Sequence, residues 1–322
     1  MWLQMVLLLI GFGLLTVGAD TFVNGSVGLA KVFGVPNMVI GLTIVALGTS
    51  APEIVVSVSA ALEGAIDMVI GNAVGSNLFN LLLVLGLLAV IKPLPLDFGR
   101  IDREHYLGTG AAGVFLLMQF VFEDRVPQWV PWLFLLTFVG YMIFSIKQAL
   151  ATAEQEKLAD ELASRDLDTP VSKYSLGKSV LLLLLGMGMI VAGGQLAVNN
   201  AVLVAQVLGM SDRLIGLTIL AVGTSMPEVV TSLVALKKDQ ADLAVGNMIG
   251  SSFFNMFFIP GVAGVIVPLQ VHPSQILDLA LLVGVSLLFI LIAKTGNVMS
   301  RLEGALFLCL YGGYMVSLVV LR

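Results

Sequence analysis

Apolar stretches follow one another along almost the whole chain, separated by short polar segments. A transmembrane helix needs about 20 predominantly apolar residues. By this criterion the pattern predicts ten spans, near residues 2–23, 38–62, 68–91, 105–122, 128–149, 174–200, 214–236, 243–267, 274–294 and 301–321. Residues 151–173 mix charges of both signs and are expected to form a short polar helix and a linker in water. The predicted fold class is an all-α polytopic membrane protein.

The composition supports a membrane protein and excludes several other classes. The chain is 58% hydrophobic and 11% charged, whereas soluble domains carry roughly 25% charged residues. The net charge of −5 is spread over the loops and does not indicate a nucleic-acid partner. Cys309 is the single cysteine, which excludes an intramolecular disulfide, and His105 and His272 are not expected to bind metal. We expect the lipid bilayer as surroundings, no cofactor and no protein partner.

The basic residues predict an orientation in the membrane. When the loops are assigned alternately to the two sides, thirteen Lys and Arg residues fall on one side and three on the other. Cytoplasmic loops carry the excess of basic residues. We therefore expect residues 151–173 in the cytoplasm and both termini outside, consistent with an even number of spans. The short linker favours a prokaryotic inner membrane.

The chain carries the same sequence pattern twice. Residues 41–57 and 216–232 are identical at 12 of 17 aligned positions. In the same alignment, GNAVGSNLFN (71–80) matches GNMIGSSFFN (246–255) at 6 of 10 positions. The domains are therefore predicted as residues 1–150 and 174–322, two five-span halves joined by residues 151–173. Because five is odd, the second half crosses the membrane in the opposite direction, an inverted repeat that many transporters use.

Each copy of the first motif places a helix breaker and a carboxylate within an apolar stretch. In GTSAPE (48–53), Pro52 lacks an amide proton and its ring clashes with the carbonyl of Gly48. The helix is expected to kink or unwind across Gly48–Ala51 and to free carbonyl oxygens. Glu53, and Glu228 in the second copy, add a charge at the same depth, and charged residues inside a span are functional hypotheses by default.

The basic residues of the predicted spans lie near the span ends, so no membrane-embedded Lys, Arg or His is available to pair with these glutamates. Either the carboxyl groups are protonated or their partner is a mobile cation. The second alternative agrees with the oxygen atoms nearby, which the motifs supply through Thr49, Ser50, Ser76, Asn80, Thr224, Ser225, Ser251 and Asn255. Asn72 and Asn247 are either further ligands or braces for the unwound backbone.

The second motif of each half also carries glycines four residues apart, at 71 and 75 and at 246 and 250. Small residues at this spacing lie on one helix face and let neighbouring helices approach closely. We therefore expect close packing of the motif helices around the polar residues.

The donor set contains oxygen and no thiolate or imidazole, which argues against transition metals. Calcium accepts 6–8 oxygen ligands in flexible geometry, whereas magnesium demands a rigid octahedron. Two carboxylates with neutral oxygens therefore suit calcium and sodium. Two glutamates balance one calcium ion and are over-neutralised by three sodium ions, so exchange at that ratio would be electrogenic.

The paired motifs GTSAPE…GNAVGSNLFN and GTSMPE…GNMIGSSFFN closely resemble the two α-repeats of the cation/calcium exchanger superfamily, in the branch of sodium/calcium exchangers. The resemblance covers nearly the whole chain. It implies a transporter rather than an enzyme, in which several sodium ions are exchanged for one calcium ion by alternating access. It also implies that the first span of each half, near 2–23 and 174–200, slides against the core.

The resemblance further implies roles for individual residues. Glu53 and Glu228 would bind both ions, and Thr49 and Thr224 would join them around calcium. One flanking sodium site would use Ala46, Ser50 and Ser76, with Ser225 nearby, and the other Ala221, Thr224 and Ser251. Asn80 and Asn255 would face the centre as further sodium ligands.

One position departs from part of the superfamily. Residue 255 is Asp in some relatives, including the potassium-dependent branch, and is Asn here. The missing charge argues against potassium co-transport. Calcium/proton antiport remains the alternative function, because desolvation can make buried carboxyl groups bind protons. A channel is disfavoured, since a duplicated site within one chain does not form a symmetric oligomeric pore.

Overall fold

The computed structural model describes residues 2–96, 98–122, 125–163, 175–209 and 221–321. The described α-helices are α1 (Trp2–Phe33), α2 (Asn37–Ile40), α3 (Ala46–Thr49), α4 (Ala51–Leu62), α5 (Asp67–Leu78), α6 (Gly86–Ile91), α7 (Phe98–Val121), α8 (Trp129–Ala163), α9 (Leu176–Val207), α10 (Ala221–Thr224), α11 (Met226–Lys237), α12 (Ala241–Ile266), α13 (Ile276–Gly296) and α14 (Arg301–Leu321). Two π-helical segments, Gly41–Val45 and Phe79–Leu85, join α2 to α3 and α5 to α6. A short antiparallel pair, β1 (Leu94–Pro95) and β2 (Val298–Met299), and a 3-10 turn, Pro273–Gln275, complete the described elements.

The helices confirm an all-α membrane architecture. Within the described ranges, six helical segments are long and apolar enough to cross a bilayer: Trp2–Phe33, Asp67–Ile91, Trp129–Ala151, Leu176–Val207, Ala241–Ile266 and Ile276–Gly296. The pair Asn37–Thr49 and Ala51–Leu62, bent by 46°, qualifies as a further broken span. The helix from Trp129 continues through Ala163, so the first part of the predicted 151–173 segment is helical. Its remainder, 164–173, lies outside the described residues.

Helices α1 and α9 pack closely and run antiparallel. Gly11 lies against the backbone of Ala197, and Gly25, further along α1, lies against Leu183, nearer the start of α9. The contacts are reciprocal. In the alignment of the two halves, Gly186 corresponds to Gly11, and Phe22 corresponds to Ala197. Gly186 lies against Phe22, just as Gly11 lies against Ala197. A pair of contacts with this relation is the signature of a two-fold interface between equivalent surfaces.

The second motif of each half lies at the centre of the molecule. The apolar window of Asp67–Ile91 is 72% buried and that of α12 is 78% buried, against 33% for α1 and 28% for α9. Phe138 of α8 covers α12 through ring contacts with Phe253, Phe254 and Phe258. The outer helices therefore shield a central group of helices that carries the polar motifs.

Glycines let the first motif approach α12 at backbone distance. Gly246 lies against the carbonyl of Met38, and Gly250 lies against the carbonyl of Leu42, so any side chain at either position would clash. These contacts confirm the close approach expected from the small residues of the second copy. The equivalent contacts of Gly71 and Gly75 would involve residues 213 and 217, which lie outside the described residues.

Candidate ion-binding site

Two single-residue breaks, at Ser50 and Ser225, define the site. Ser50 has φ −80° and ψ 5°, and Ser225 has φ −92° and ψ 8°, so each interrupts the helical backbone at the equivalent position. Pro52 and Pro227 then lie in the first turn of the next helix, where the missing amide proton costs nothing. The structure confirms the predicted break and confines it to Ser50, a narrower segment than Gly48–Ala51.

The breaks bring the two glutamates into reciprocal contact with the opposite half. The hydroxyl of Ser50 donates to Oε1 of Glu228 at 3.2 Å, and the hydroxyl of Ser225 donates to Oε1 of Glu53 at 2.9 Å. Both glutamates stand in the first turn of their helices, α4 and α11, where the helix dipole stabilises negative charge. Each half thus supplies one carboxylate and one hydroxyl to a shared centre.

The second oxygen of each carboxylate has no hydrogen-bond partner in the described part of the chain. Glu53 and Glu228 are each 1% exposed, and Oε2 of each accepts no hydrogen bond from the described residues. Neither glutamate forms an ion pair within the described ranges. Buried charges without a partner cost several kcal/mol. Either a proton or a cation bound between the carboxylates would remove this cost.

Thr49 joins the first motif to α12. Its hydroxyl donates to Oδ1 of Asn247 at 3.1 Å and lies 3.4 Å from the hydroxyl of Ser251. It also lies 3.4 Å from the carbonyl oxygen of Ala46, which accepts the amide of Ser50 at 3.0 Å. Ser251 is therefore adjacent to Thr49 of the first copy, although the family resemblance implied a sodium site that it would share with Ala221 and Thr224 of the second copy.

The residues Ala221 and Thr224 begin and end the short helix α10, which leads directly into the break at Ser225. Their position mirrors that of Ala46 and Thr49, the first and last residues of α3. The stretch before α10, residues 216–220 of the duplicated motif, lies outside the described residues. Both halves therefore carry the same short helix before the break.

Asn80 and Asn255 supply buried amide groups beside the helices that carry Glu53 and Glu228. Each residue is 1% exposed, and both polar atoms of each side chain lack a hydrogen-bond partner among the described residues. Asn80 lies in the π-helical segment Phe79–Leu85, a distortion often found at functional sites. Ser76 and Ser251, one turn earlier on their helices, are 5% and 0% exposed.

Two further pairs of polar residues hold the motifs together. The amide of Asn72 donates to Ser57 Oγ at 2.9 Å and to the carbonyl of Glu53 at 3.3 Å, and the amide of Asn247 donates to Ser232 Oγ at 3.2 Å. These contacts agree with the bracing alternative for the two asparagines. Ser57 and Ser232 were missed from the sequence, although each is the last identical residue of the duplicated stretch.

Asn77 and Ser252 meet across the centre of the molecule. They occupy equivalent positions of the second motif, and the amide of Asn77 donates to the carbonyl of Ser252 at 3.1 Å. Two residues that are equivalent in the alignment of the halves are therefore in direct contact. Because a helix carbonyl already has an intrahelical donor, this bond occupies its second lone pair and fixes the two helices at one register.

The donor set suits hard cations. The part of the chain that the structure describes contains no group of three or more His, Cys, Asp or Glu side chains. Two carboxylates with hydroxyl, amide and carbonyl oxygens match the ligands of calcium. The structure joins Thr49, Ser50, Glu53, Ser225, Glu228 and Ser251 through hydrogen bonds or hydroxyl contacts at one centre.

Comparisons with known proteins agree with this chemistry. Residues 3–147 and 178–320 match the family model described as sodium/calcium exchanger protein. The chain is 30% identical to the sodium/calcium exchanger MaX1 of Methanosarcina acetivorans over 345 residues, covering 97% of each chain. It is 32% identical to the inner membrane protein YrbG of Escherichia coli, covering 100% of this chain and 97% of the relative.

A solved structure resembles the whole fold. The sodium-calcium exchanger NCX_Mj superposes with a TM-score of 0.82 at 32% identity, covering 99% of both chains. That protein was studied after soaking with sodium, with calcium or with strontium. The matches cover both halves, which confirms the resemblance that the duplicated motifs indicated.

Proposed function

Because the chain belongs to the sodium/calcium exchanger protein family, we propose that it is an antiporter that exchanges sodium ions for a calcium ion at one central site. The observation that carries this proposal is the pair of buried glutamates, each held by a serine of the other half and each with one oxygen unpaired among the described residues. One calcium ion between the two oxygens would balance the charge of both carboxylates.

The site binds calcium through Glu53 and Glu228, with Thr49 and Thr224 beside them. The same two carboxylates serve sodium, together with Ala46, Ser50, Ser76, Asn80, Ala221, Thr224, Ser225, Ser251 and Asn255. Shared carboxylates make the ions competitors, so sodium entering the site displaces calcium. Two negative charges balance one calcium ion but not three sodium ions, so exchange at that ratio moves net charge.

The contact between Thr49 and Ser251 favours a regrouping of the flanking sodium sites. One site takes Ala46 and Ser251, since Ser251 lies beside the α3 helix. By the two-fold relation, the other takes Ala221 and Ser76. Each flanking site then contains oxygens from both halves, which agrees with the reciprocal arrangement of the serines and glutamates.

The architecture that we propose has ten spans in two inverted halves, residues 1–150 and 174–322, joined by residues 151–173. The antiparallel packing of α1 against α9, with contacts that recur at equivalent positions of the two halves, supports the inversion. The Lys and Arg distribution supports a cytoplasmic linker and outer termini. A relative named as an inner membrane protein supports a prokaryotic inner membrane.

Transport follows from alternating exposure of the central site. Helices α1 and α9 form a pair that packs over both broken helices, and movement of this pair along the core would open a path on one side while closing the other. Phe22 of α1 and Met187 of α9 both lie beside Gly48, close to the break. The pair is thus placed to sense which ion occupies the site.

The test is calcium uptake into proteoliposomes that contain the purified chain. Uptake is expected to require an outward sodium gradient and to be abolished by Glu53→Ala or Glu228→Ala. Glu63→Gln is the matched control, because Glu63 is exposed at the end of the same helix as Glu53. Uptake that persists without sodium and follows a pH gradient would replace the proposal with calcium/proton antiport.

A further inference from the structure

A second polar cavity lies at one end of the α1/α9 pair, away from the ion site. It has a volume of about 570 Å³ and is lined by Asn24, Val27, Lys31, Ser175, Lys178, Ser179, Leu182, Lys238 and Gln240. This size lies within the range of about 300–1,000 Å³ that is typical of ligand pockets. Its walls come from α1, from the start of α9 and from the turn between α11 and α12.

The cavity is basic. Among the described residues that line it, three are lysines and none is a carboxylate, and the nearby Asp20 is engaged with Lys238 at 2.7 Å. Lys238 is also held by Oδ1 of Asn24 at 2.6 Å, so its ammonium group is fixed in place. Lys178 forms no ion pair with the described residues. Lys178 therefore brings a positive charge to the cavity that no described acidic residue balances.

The start of α9 adds backbone donors to the same wall. Ser175 precedes this 32-residue helix and forms no side-chain cap, so the first amide groups of the helix have no partner from that residue. The amide of Ser179 bonds back to the carbonyl of Ser175 at 2.9 Å, which leaves the amides before it pointing out of the helix. Unpaired amides at a helix start bind anions, and phosphate groups in particular.

The cavity also lies at the depth of the lipid headgroups. Helices α1 and α9 each contain 32 residues, and a helix of that length spans about 48 Å. The hydrocarbon layer is only about 30 Å thick. A helix centred in the bilayer therefore extends beyond the hydrocarbon at both ends. Lys31, in the last turn of α1, and Lys178, in the first turn of α9, fall in this region.

We propose that this cavity, formed by Lys31, Lys178, Lys238 and the start of α9, binds the phosphate of an anionic lipid headgroup. Basic pockets between transmembrane helices on the cytoplasmic side are recognition sites for such headgroups. The three lysines belong to the loops that the basic-residue count assigns to the cytoplasm. The lipid's acyl chains would continue along the apolar outer surface of α1 and α9, where Leu181, Leu184 and Leu185 are exposed.

A bound headgroup would link the moving pair to the core. Lys31 and Lys178 belong to α1 and α9, whereas Lys238 and Gln240 belong to the turn between α11 and α12. A phosphate that contacts both sides stabilises the position in which the two sides are closest. Anionic lipid would therefore shift the balance between the two orientations of the ion site.

The experiment measures lipid bound to the purified full chain by native mass spectrometry. The probes are short-chain phosphatidylglycerol, short-chain phosphatidylcholine and inorganic phosphate. Phosphatidylglycerol is expected to bind more tightly than phosphatidylcholine, and inorganic phosphate to compete only at far higher concentration. Lys31→Gln and Lys178→Gln are each expected to weaken phosphatidylglycerol binding about fivefold, the effect of one basic residue near an anionic membrane surface.

The matched control is Lys237→Gln, which removes a neighbouring exposed lysine that does not line the cavity. Thermal melting of each variant shows that it is folded, and Lys238 is left intact because it also holds Asp20 and Asn24. Equal binding by the cavity variants and the control would overturn the proposal. Competition by inorganic phosphate at the lipid's own concentration would assign the cavity to a soluble phosphate instead. Mass spectrometry measures the bound lipid itself, so the outcome does not depend on whether the chain exchanges sodium for calcium.

Discussion

The hydroxyl of Ser50 donates a hydrogen bond to Glu228 at 3.2 Å, and these two residues belong to different halves of the chain. The equivalent bond from Ser225 to Glu53, at 2.9 Å, runs in the opposite sense. Each broken helix therefore needs the other to orient its carboxylate. Neither bond forms within one half, which gives the serine and the glutamate the same use in both copies of the motif.

Removal of either serine hydroxyl is expected to weaken ion binding. A hydrogen bond to a charged group contributes about 1.5–3 kcal/mol, so Ser50→Ala and Ser225→Ala should each raise the ion concentration for half-maximal flux by roughly tenfold or more. The measurement is sodium-dependent calcium flux over a range of both ions. Ser59→Ala is the control, because Ser59 lies on the same helix as Glu53 and does not contact the site. Equal flux curves for Ser50→Ala and Ser59→Ala would contradict a positioning role for the hydroxyl.

The buried charges of Glu53 and Glu228 should lower the stability of the folded chain when no ion is bound. Glu53→Gln keeps the shape of the side chain and removes a buried charge that has no ionic partner among the described residues. The variant is therefore expected to melt at a higher temperature than the unaltered chain in ion-free buffer.

Calcium should then raise the melting temperature of the unaltered chain far more than that of Glu53→Gln. A ligand at about 100 times its dissociation constant stabilises the folded state by about 2.7 kcal/mol, and Glu53→Gln should lose most of this gain. Glu63→Gln serves as the control, since it removes an exposed carboxylate. A calcium-induced shift of normal size in Glu53→Gln would place the calcium ion elsewhere.

The sequence was sufficient to predict the parts of the site that follow from local chemistry. Pro52 and Pro227 cannot continue a helix, so the breaks just before them could be predicted. The buried glutamates could be predicted because a carboxylate inside an apolar span has few structural uses. The sequence pattern likewise predicted where most of the described helices lie, because apolar length is the main determinant of a span. It missed the full length of α1 and α7, which extend beyond the predicted spans 2–23 and 105–122.

Contacts between the halves could not be predicted in the same way. The Thr49–Ser251 contact and the Asn77–Ser252 bond join residues that are far apart along the chain. Their pairing depends on how the two halves cross, which no local pattern specifies. The sequence also did not predict that one helix runs from Trp129 to Ala163. The polar residues after 150 ended the hydropathy signal, but the backbone remains helical.

Potassium is expected to have no effect on transport. Asn255 is buried and uncharged, so the proposed site carries the charge of two glutamates alone. Flux at constant sodium, calcium and osmolarity should be the same with potassium or choline as the balancing cation. Asn255→Asp adds a third carboxylate and should change the sodium dependence, and Asn80→Asp is its counterpart in the first half. A potassium requirement in the unaltered chain would refute the assignment of Asn255.

Asn72 and Asn247 are expected to act as braces. Asn72 holds Ser57 and the backbone of Glu53, so Asn72→Ala leaves buried polar groups without a partner, at a cost of about 1–3 kcal/mol. The variant should melt earlier and transport more slowly while keeping the ion concentrations for half-maximal flux within about twofold, since a brace does not touch the ion. Asn72→Ser, which retains a donor, should recover part of the loss. A large change in calcium affinity at unaltered stability would instead identify Asn72 as a ligand.

The α1/α9 interface gives the sharpest test of the reciprocal packing. A β-carbon at Gly186 would clash with the backbone of Phe22, whereas one at Gly188, on the same helix, would meet nothing within 4 Å among the described residues. Overpacking of a close interface typically costs about 1–3 kcal/mol. Gly186→Ala should therefore lower the melting temperature and the flux, and Gly188→Ala should leave both unchanged.

The same contrast is expected at the equivalent positions of the first half, where Gly11 is closely packed against Ala197 and Gly13 is open. Two equivalent pairs that respond alike would support the two-fold relation between the halves. A loss in Gly188→Ala as large as that in Gly186→Ala would show that glycine acts here through helix flexibility rather than through contact between α1 and α9.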